Sequence, residues 1–288
     1  MYSANGTASV SAGVIGLGQI GGGVAICLAR AKRELSIYDV RADAAVKLAG
    51  VPPISRSPAD VARSSNVVLV AVVDAAQVAA VLQGPEGLLA GAHPNLVVVL
   101  LSTVDVAEIE PIARMVEAAG AKFLDCGVLG GSVAADKGLV SLVGGDATTI
   151  SYVKPVLDDF SAKVIHMGEL GAGMRAKLAC NIVAFSRWRA VYEAALLAEA
   201  ADIDLYKLTE ALDANVSKQT NLTAWIRRGT VKPLENCSLE ETAKLNHVLL
   251  LLRKDIGAAL MLAGRLGVDL PLAKVTYDTG AEIFGLRP

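Results

Sequence analysis

A glycine-rich segment, Gly16–Gly21, follows the first apolar run of the chain and opens a helical pattern. In a G-x-G-x-x-G loop the first glycine permits a tight turn, the second lets the backbone approach a pyrophosphate, and the third allows close helix–strand packing. The helix N-terminus adds free N–H groups and a positive dipole. A glycine-rich turn in an ordinary α/β fold is the alternative interpretation. The pattern predicts dinucleotide contacts from Gly16, Leu17, Gly18, Gln19, Ile20 and Gly21.

An acidic residue, Asp39, ends the second apolar run. A carboxylate at this position accepts both hydroxyls of an adenosine ribose and repels a 2′-phosphate, which favours NAD over NADP. Arg41 is able to pair with such a phosphate, so NADP remains the alternative cofactor. We also predict a cofactor contact from Val73, at the end of the third apolar run.

A lysine and an asparagine four residues apart, Lys177 and Asn181, share one face of a predicted helix among apolar neighbours. Loss of hydration lowers the pKa of a lysine toward the range that is useful for proton transfer. An asparagine donates and accepts hydrogen bonds, which suits the orientation of a hydroxyl or carboxylate. On this chemistry alone, a solvated surface pair is an equal alternative to a catalytic pair.

Short apolar runs alternate with helical patterns in the first part of the chain, which is typical of a parallel sheet covered on both faces. The predicted strands are Ala12–Ile15, Leu35–Tyr38, Val67–Val73, Leu96–Leu101, Phe123–Leu124, Leu139–Val143 and Lys163–His166. The predicted helices between them are Gly22–Arg30, Ala75–Leu82, Val106–Ala119 and Thr148–Phe160. We expect an α/β fold, with a doubly wound, mostly parallel Rossmann sheet in a dinucleotide-binding domain over residues 1–168.

The second part of the chain shows helical patterns without strand-like runs. Ser238 and Glu241 form a predicted capping box, and Gly267 is placed just past the end of the helix that this box opens. The other predicted helices here are Met174–Ala201 and Leu205–Asn215. We expect an all-helical domain over residues 169–288.

Composition excludes several classes of function. The chain has 288 residues, a net charge of −2 and 4% aromatic residues, which argues against nucleic-acid binding. Mean hydropathy is +0.48, but the charge-free stretches 1–29 and 87–104 are broken by polar residues, so no membrane span is expected. No metal site is expected from the spacing of the histidines and cysteines. The cysteines are predicted to be buried free thiols of a cytoplasmic protein: Cys27, Cys126, Cys180 and Cys237.

Four ordered motifs resemble the β-hydroxyacid dehydrogenase family, typified by 3-hydroxyisobutyrate dehydrogenase, over residues 10–285. They are Gly16–Gly21, Ser102-Thr103-Val104-Asp105, Gly171–Asn181 and Lys254-Asp255-Ile256. The resemblance implies that Thr103 lies near the nicotinamide, that Lys177 is the catalytic residue, and that Lys254 approaches the cofactor or substrate. It also implies that the helical domain over residues 169–288 binds a small-molecule substrate and forms the dimer contact, in a homodimer or higher homo-oligomer whose helical domains pair.

The chain departs from this family at the substrate loop, where D-A-P-V-S-G-G is replaced by Asp125–Gly131 with the sequence D-C-G-V-L-G-G. Leu129 replaces the serine that would bind a substrate carboxylate, while Gly130 and Gly131 still offer backbone N–H groups. Cys180 replaces the first asparagine of the lysine motif, and Asn181 retains the second. We therefore expect a substrate with a larger or less polar group than a small hydroxy acid.

The resemblance implies reversible hydride transfer between the nicotinamide and a carbinol carbon, with Lys177 as general acid and base and Asn181 holding the reacting oxygen. Imine reductases share the architecture but generally carry Asp or Tyr at the position of Lys177. A decarboxylating 6-phosphogluconate dehydrogenase would need a longer helical domain. A non-catalytic dinucleotide-binding module is the alternative outside enzymes, and loss of the lysine would be its signature.

Further residues are expected near the active site or the subunit contact. The predicted long helix carries Arg187, Trp188, Arg189 and Tyr192. The segment Trp225-Ile226-Arg227-Arg228 either reaches the cleft and sets specificity or forms an exposed basic turn.

Overall fold

One sheet of seven strands occurs in the computed structural model, which describes residues 10–216 and 238–286. The strands are β1 (Ala12–Ile15), β2 (Leu35–Tyr38), β3 (Val67–Val70), β4 (Val97–Leu100), β5 (Lys122–Leu129), β6 (Leu139–Gly144) and β7 (Ser161–Gly168). Their order is β2-β1-β3-β4-β5-β6-β7. All neighbouring strands in this described sheet are parallel except β5 and β6. The predicted mostly parallel, doubly wound sheet is confirmed.

Helices cover both faces of the sheet, because successive strand residues point to opposite sides. Val14 packs with α1 (Gln19–Arg30) and α5 (Ala147–Phe160). Its neighbour Ile15 packs on the other face, in a core that includes residues of the next three helices. These are α2 (Pro58–Arg63), α3 (Ala75–Leu82) and α4 (Val106–Ala118). Burial on two sides explains the near-continuous Val, Leu and Ile content of the central strands.

Five of the predicted strands, the third to the seventh, end at other residues than expected, and the differences are largest for the third and the fifth. The third strand stops at Val70 rather than Val73, because the Val72 N–H donates to Ser102 Oγ (2.9 Å) instead of continuing the ladder. The fifth strand extends to Leu129 rather than ending at Leu124, because the added residues pair with β6. A charged residue inside this strand, Asp125, interrupts the hydrophobic pattern in the sequence.

The rest of the chain is helical in the described residues. The helices are α6 (Ala172–Ala200), α7 (Leu205–Val216), α8 (Leu239–Leu266), α9 (Pro271–Asp278) and α10 (Gly280–Ile283). The chain divides into two compact units, one ending at Asn181 and one beginning at Ile182. Strand β7 ends at Gly168, and the first unit continues to Asn181 because the start of α6 is bound to β5. The substrate and dimer roles of the helical part remain predictions.

The ends of two helices in the second unit show how this unit is stabilised. At the start of α8, Ser238 Oγ accepts the Glu241 N–H and the Glu241 carboxylate accepts the Ser238 N–H, which confirms the capping box. Gly267 ends the same helix in the left-handed region, at φ +71°. The buried Glu193 carboxylate accepts the N–H groups of Leu272 (2.9 Å) and Ala273 (3.1 Å) at the start of α9.

Cys27 and Cys126 are buried free thiols, as predicted. Cys180 is also a free thiol, but it is exposed, so the prediction that it is buried was wrong. Apolar neighbours do not bury a side chain when they are exposed themselves, as Leu178 and Ala179 are. Cys237 lies outside the described residues, as does the segment 225–228.

None of the helices in the described part of the chain combines the length and apolarity that a membrane crossing requires. Within residues 10–216 and 238–286, no group of three or more His, Cys, Asp or Glu side chains is arranged to hold a metal ion.

Candidate active site

The glycine loop follows β1 at the carboxyl edge of the sheet, where the order of the strands reverses between β1 and β3. Ligands of doubly wound sheets bind at such a position. Gly16 has φ +89°, and a Cβ there would lie 2.5 Å from the Ala71 carbonyl oxygen. A Cβ on Gly21 would overlap the Gly16 carbonyl oxygen. These two glycines are required by the turn itself.

Gly18 differs from these two glycines because a Cβ added there would meet open space. The packing of the protein therefore gives no reason for glycine at this position. Gly18 is also the N-cap residue of α1, where no side chain caps the free N–H groups. An open backbone beside an uncapped helix N-terminus is suited to a pyrophosphate, so the loop fits the predicted dinucleotide.

Asp39 follows β2 and ties this strand to the glycine loop. Its carboxylate accepts the Leu17 N–H (2.7 Å), the Arg41 N–H (2.9 Å) and two guanidinium N–H groups of Arg41. Burial raises the pKa of Asp39, but the hydrogen bonds from Arg41 and Leu17 outweigh it, so the pKa lies below its ordinary value. The carboxylate is therefore ionised and held at the point where an adenosine ribose is expected.

Val73 and Thr103 lie at the same edge of the sheet as the glycine loop. The register pairs Ile15 with Val70 and Val70 with Leu100, so the three strands end level. Val73 lies three residues after Val70, and Thr103 lies three residues after Leu100. Both side chains are exposed. The structure thus brings the predicted cofactor residues of the first unit together along this edge.

Lys177 lies on α6, against β5. A Cβ on Gly127 would be 2.5 Å from the Lys177 Cβ, so glycine on the strand makes room for the lysine stem. Lys177 Nζ donates a hydrogen bond to the Val128 carbonyl oxygen. Burial lowers the pKa of Lys177 below its ordinary value, and interaction with Cys126 opposes this shift. Burial also raises the pKa of the Cys126 thiol to about 12, which keeps it neutral.

Asn181 is partly buried one helical turn after Lys177, as its spacing predicts. Lys177 is also partly buried, and its amine is hydrogen-bonded to a strand, which favours the catalytic-pair interpretation over the solvated one.

The substrate loop leads from β5 back toward the glycine loop. Leu129 is the last residue of β5, and Gly130 turns the chain in the left-handed region at φ +86°. A Cβ on Gly131 would lie 3.0 Å from Ile20 Cδ1. Gly131, one of the predicted substrate residues, is therefore a neighbour of the start of α1 within the first unit.

One residue of the site was not predicted from the sequence. The fully buried carboxylate of Asp125 accepts the N–H groups of Gly171 and Met174, both at 2.6 Å, and so joins β5 to the start of α6. Its place at the head of the D-x-x-x-x-G-G segment was the available signal. Lys254 lies on α8 in the second unit, and its side chain is outside the described part, as are those of Trp188, Arg189 and Tyr192.

Comparison with known proteins identifies the family. Residues 11–168 match the NAD binding domain of 6-phosphogluconate dehydrogenase, and residues 171–282 match the NAD-binding domain of NADP-dependent 3-hydroxyisobutyrate dehydrogenase. The chain belongs to the β-hydroxyacid dehydrogenase family. It is a dinucleotide-dependent oxidoreductase of the type that acts on CH–OH groups.

Individual members of the β-hydroxyacid dehydrogenase family match over most of their length. An uncharacterized oxidoreductase of Mycobacterium tuberculosis is 34% identical over 95% of this chain and 93% of its own. The 2-hydroxy-3-oxopropionate reductase of Escherichia coli is 30% identical over 90% of this chain and 86% of its own. The crystal structure of an oxidoreductase from Mycobacterium avium 104 has a TM-score of 0.88 at 33% identity, covering 97% of this chain and all of that one.

Proposed function

We propose that this protein catalyses the reversible oxidation of a hydroxy acid or related alcohol, with Lys177 as the general acid and base. The observation that carries this proposal is the partly buried Lys177 amine, whose pKa is lowered by burial and which is tied to the strand that ends in Leu129. A bound nicotinamide dinucleotide would supply the hydride acceptor or donor.

The hydrogen bond to Val128 suits Lys177 to proton transfer. A neutral amine has two N–H groups and one lone pair. When one N–H donates to the Val128 carbonyl oxygen, the lone pair points elsewhere and can accept the proton of a substrate hydroxyl. In the reverse direction, the protonated amine donates to a carbonyl oxygen. Asn181, on the same helical face, orients the oxygen that gains or loses this proton.

The substrate loop supports a substrate with a less polar group than a small hydroxy acid. Leu129 removes the hydroxyl that relatives of this family offer to a carboxylate and replaces it with an isobutyl group. The backbone N–H groups of Gly130 and Gly131 remain as donors for a polar end of the substrate.

A substitution at Lys177 tests the proposed function. Lys177→Ala is expected to abolish turnover on a panel of hydroxy acids, alcohols and cyclic imines, while NADH still binds with its wild-type Kd by fluorescence titration. The matched control is Lys154→Ala, since Lys154 is an exposed lysine of α5 that pairs with Asp158. Near-normal kcat in Lys177→Ala would refute the assignment. A wild-type protein that binds NADH but turns over nothing in the panel would favour a binding module.

We also infer a preference for NAD over NADP, which rests on the ionised Asp39. A carboxylate has about four acceptor sites, and four N–H groups already occupy those of Asp39. A ribose hydroxyl must therefore displace the Arg41 guanidinium, whose side chain is 60% exposed. Titration with NADH and NADPH decides between them, and tighter binding of NADPH would contradict the inference.

The assembly and location are further parts of this proposal. We infer a homodimer formed through the helical second unit, where several large apolar side chains are exposed: Val183, Val191, Leu250 and Val275. A contiguous apolar patch on an aqueous surface commonly marks an interaction site, and these side chains lie on α6, α8 and α9 of this unit. The buried free thiols of Cys27 and Cys126 support a reducing, cytoplasmic location.

A further inference from the structure

We propose that Asp125 is a positioning residue for Lys177, which it serves by fixing the first turn of α6 on β5. This inference rests on the proposed function, because it assigns a role in placing the proton-transfer group. Asp125 itself does not touch the reacting atoms. It acts through the helix that carries Lys177.

The Asp125 carboxylate holds two points of the helix start at once. One oxygen accepts the Gly171 N–H and the other accepts the Met174 N–H, each at 2.6 Å. Two bonds from two oxygens restrict both the translation and the rotation of this turn. Lys177 follows Met174 by three residues, about 4.5 Å along the helix axis at 1.5 Å per residue. A displacement of the first turn is therefore passed to the amine almost undiminished.

The glycines around Asp125 are adapted to the carboxylate. A Cβ on Gly144, in β6, would overlap Asp125 Oδ1. A Cβ on Gly173 would overlap the Leu142 carbonyl oxygen and lie 2.9 Å from Asp125 Oδ2. The second glycine of the G-x-G-x-x-x-K motif therefore lets the helix approach the sheet. Outside α6 itself, the three atoms nearest to a Cβ on Gly173 would be atoms of Leu142 and Asp125.

The same face of β5 carries both attachments to α6. Residues 125 and 127 point to the same side of the strand, since strand side chains alternate. Asp125 binds the helix start, while Gly127 makes room for the Lys177 stem one turn later. Asp125 precedes Gly127 along the strand, and the helix start precedes Lys177 along α6, so the two attachments follow each other in the same order in both elements.

Burial of a carboxylate is unfavourable unless it is compensated. Burial raises the pKa of Asp125 above its ordinary value, although the N–H groups of Met174 and Gly171 oppose this shift. A helix start can be capped by an exposed Asp, as Asp146 caps α5. The hydrogen bonds from Gly171 and Met174 partly compensate the burial of the Asp125 carboxylate, and they hold α6 at one place on the sheet.

The test compares variants at two buried carboxylates that each bind the start of a helix. Asp125→Asn keeps the shape but turns one acceptor into a donor that faces a backbone N–H. Its kcat is expected to fall by at least about ten-fold, since a misplacement of ~1 Å costs on the order of 10²-fold. Its Kd for NADH should stay at the wild-type value. The control is Glu193→Gln, at the start of α9, which should lower the Tm but keep kcat.

A second variant serves if Asp125→Asn does not fold. Gly173→Ala leaves the carboxylate intact but separates α6 from the sheet, and the same loss of kcat with unchanged Kd for NADH is expected. Wild-type kcat in a folded Asp125→Asn or Gly173→Ala, or equal losses of kcat in Asp125→Asn and Glu193→Gln, would overturn the proposal.

A measurement that needs no substrate tests the role of Asp125 independently of the proposed function. Acetic anhydride labels neutral amines, and peptide mass spectrometry gives the labelling rate of Lys177 as a function of pH. In the wild type this rate should titrate below the ordinary lysine pKa of 10.5, and in Asp125→Asn it should move toward 10.5 as the amine becomes exposed. If the wild type turns over no substrate, the proposed function fails, and the labelling alone decides the role of Asp125. Identical titrations would overturn that role.

Discussion

At the scale of single residues, the site depends on the environment of one amine. Lys177 is less hydrated than an exposed lysine, and this lowers the pKa of its ammonium. The hydrogen bond to the Val128 carbonyl oxygen is compatible with both protonation states, because the neutral amine still has N–H groups to donate. Lys177 can therefore change its charge, as the proposed proton transfer requires, without leaving its place.

The pH dependence of oxidation follows from this shift. Oxidation needs the neutral amine, so kcat/KM for the alcohol should rise with pH through the pKa of Lys177 in the free enzyme. That pKa is depressed, so the rise should be centred below 10.5. The reduction should show the opposite dependence, since it needs the protonated amine. Steady-state rates in both directions check this, and a rise centred at or above 10.5 would contradict it.

Leu129→Ser tests the proposed selectivity at the same scale. The added hydroxyl can donate to a substrate carboxylate, and a hydrogen bond to a charged group is worth about 1.5–3 kcal/mol. The KM for a small hydroxy acid should therefore fall by roughly ten-fold or more. Leu129→Ala is the matched control, because it removes the bulk without adding a donor. An equal effect of both variants would show that size alone matters.

At the scale of elements, the ends of helices and strands place the functional groups. The β1–α1 turn needs Gly16 and Gly21 for its own geometry, whereas Gly18 borders open space. Similar residues in one loop thus have different physical roles. The sequence pattern predicts the loop as a whole but does not assign these roles.

Two alanine substitutions separate the roles of the glycines. Gly21→Ala should lower the free energy of unfolding by about 1–3 kcal/mol, because its Cβ overlaps the Gly16 carbonyl oxygen. Gly18→Ala should leave stability unchanged but raise the Kd for NADH about ten-fold, the effect of about 1.4 kcal/mol. Thermal unfolding and fluorescence titration measure the two effects. Loss of stability in Gly18→Ala would show that the open space serves folding.

The sequence predicted local features well because short patterns cause them. The sequence patterns give the correct positions of strand β1, helix α3 and the Ser238 capping box. The spacing of buried residues and the capping hydrogen bonds each involve only a few neighbouring residues of the chain. Asp125 was missed because its partners lie 46 and 49 residues away in the chain. The exposure of Cys180 was missed for a related reason, since burial depends on which surfaces meet.

At the scale of the whole molecule, the second unit leaves apolar side chains in contact with solvent. Val191 on α6 is 55% exposed and Leu250 on α8 is 66% exposed. The core of the first unit, in contrast, is closed by helices on both faces of the sheet. The exposed side chains on α6 and α8 support the proposed subunit contact of the second unit.

Light scattering at micromolar concentration should give twice the chain mass of 29.7 kDa. Leu250→Glu should shift the protein toward the monomer, because a charge would be buried in the contact. Val46→Glu, at an 80% exposed apolar residue of the first unit, is the control and should leave the mass unchanged. A monomeric wild type would refute the dimer.

The hydrogen bond between Lys177 and Val128 has a consequence for how enzymes of this kind diversify. The backbone carbonyl that accepts a hydrogen bond from the Lys177 amine belongs to the residue immediately before position 129. In the proposed site, exchanges of the side chain at position 129 alter the chemistry around the substrate, while the Val128 carbonyl stays in the sheet, paired beside β6. Insertions or deletions in the same strand would re-aim the amine. New substrate ranges are therefore accessible here by point substitution, whereas changes in loop length before residue 129 are expected to be selected against.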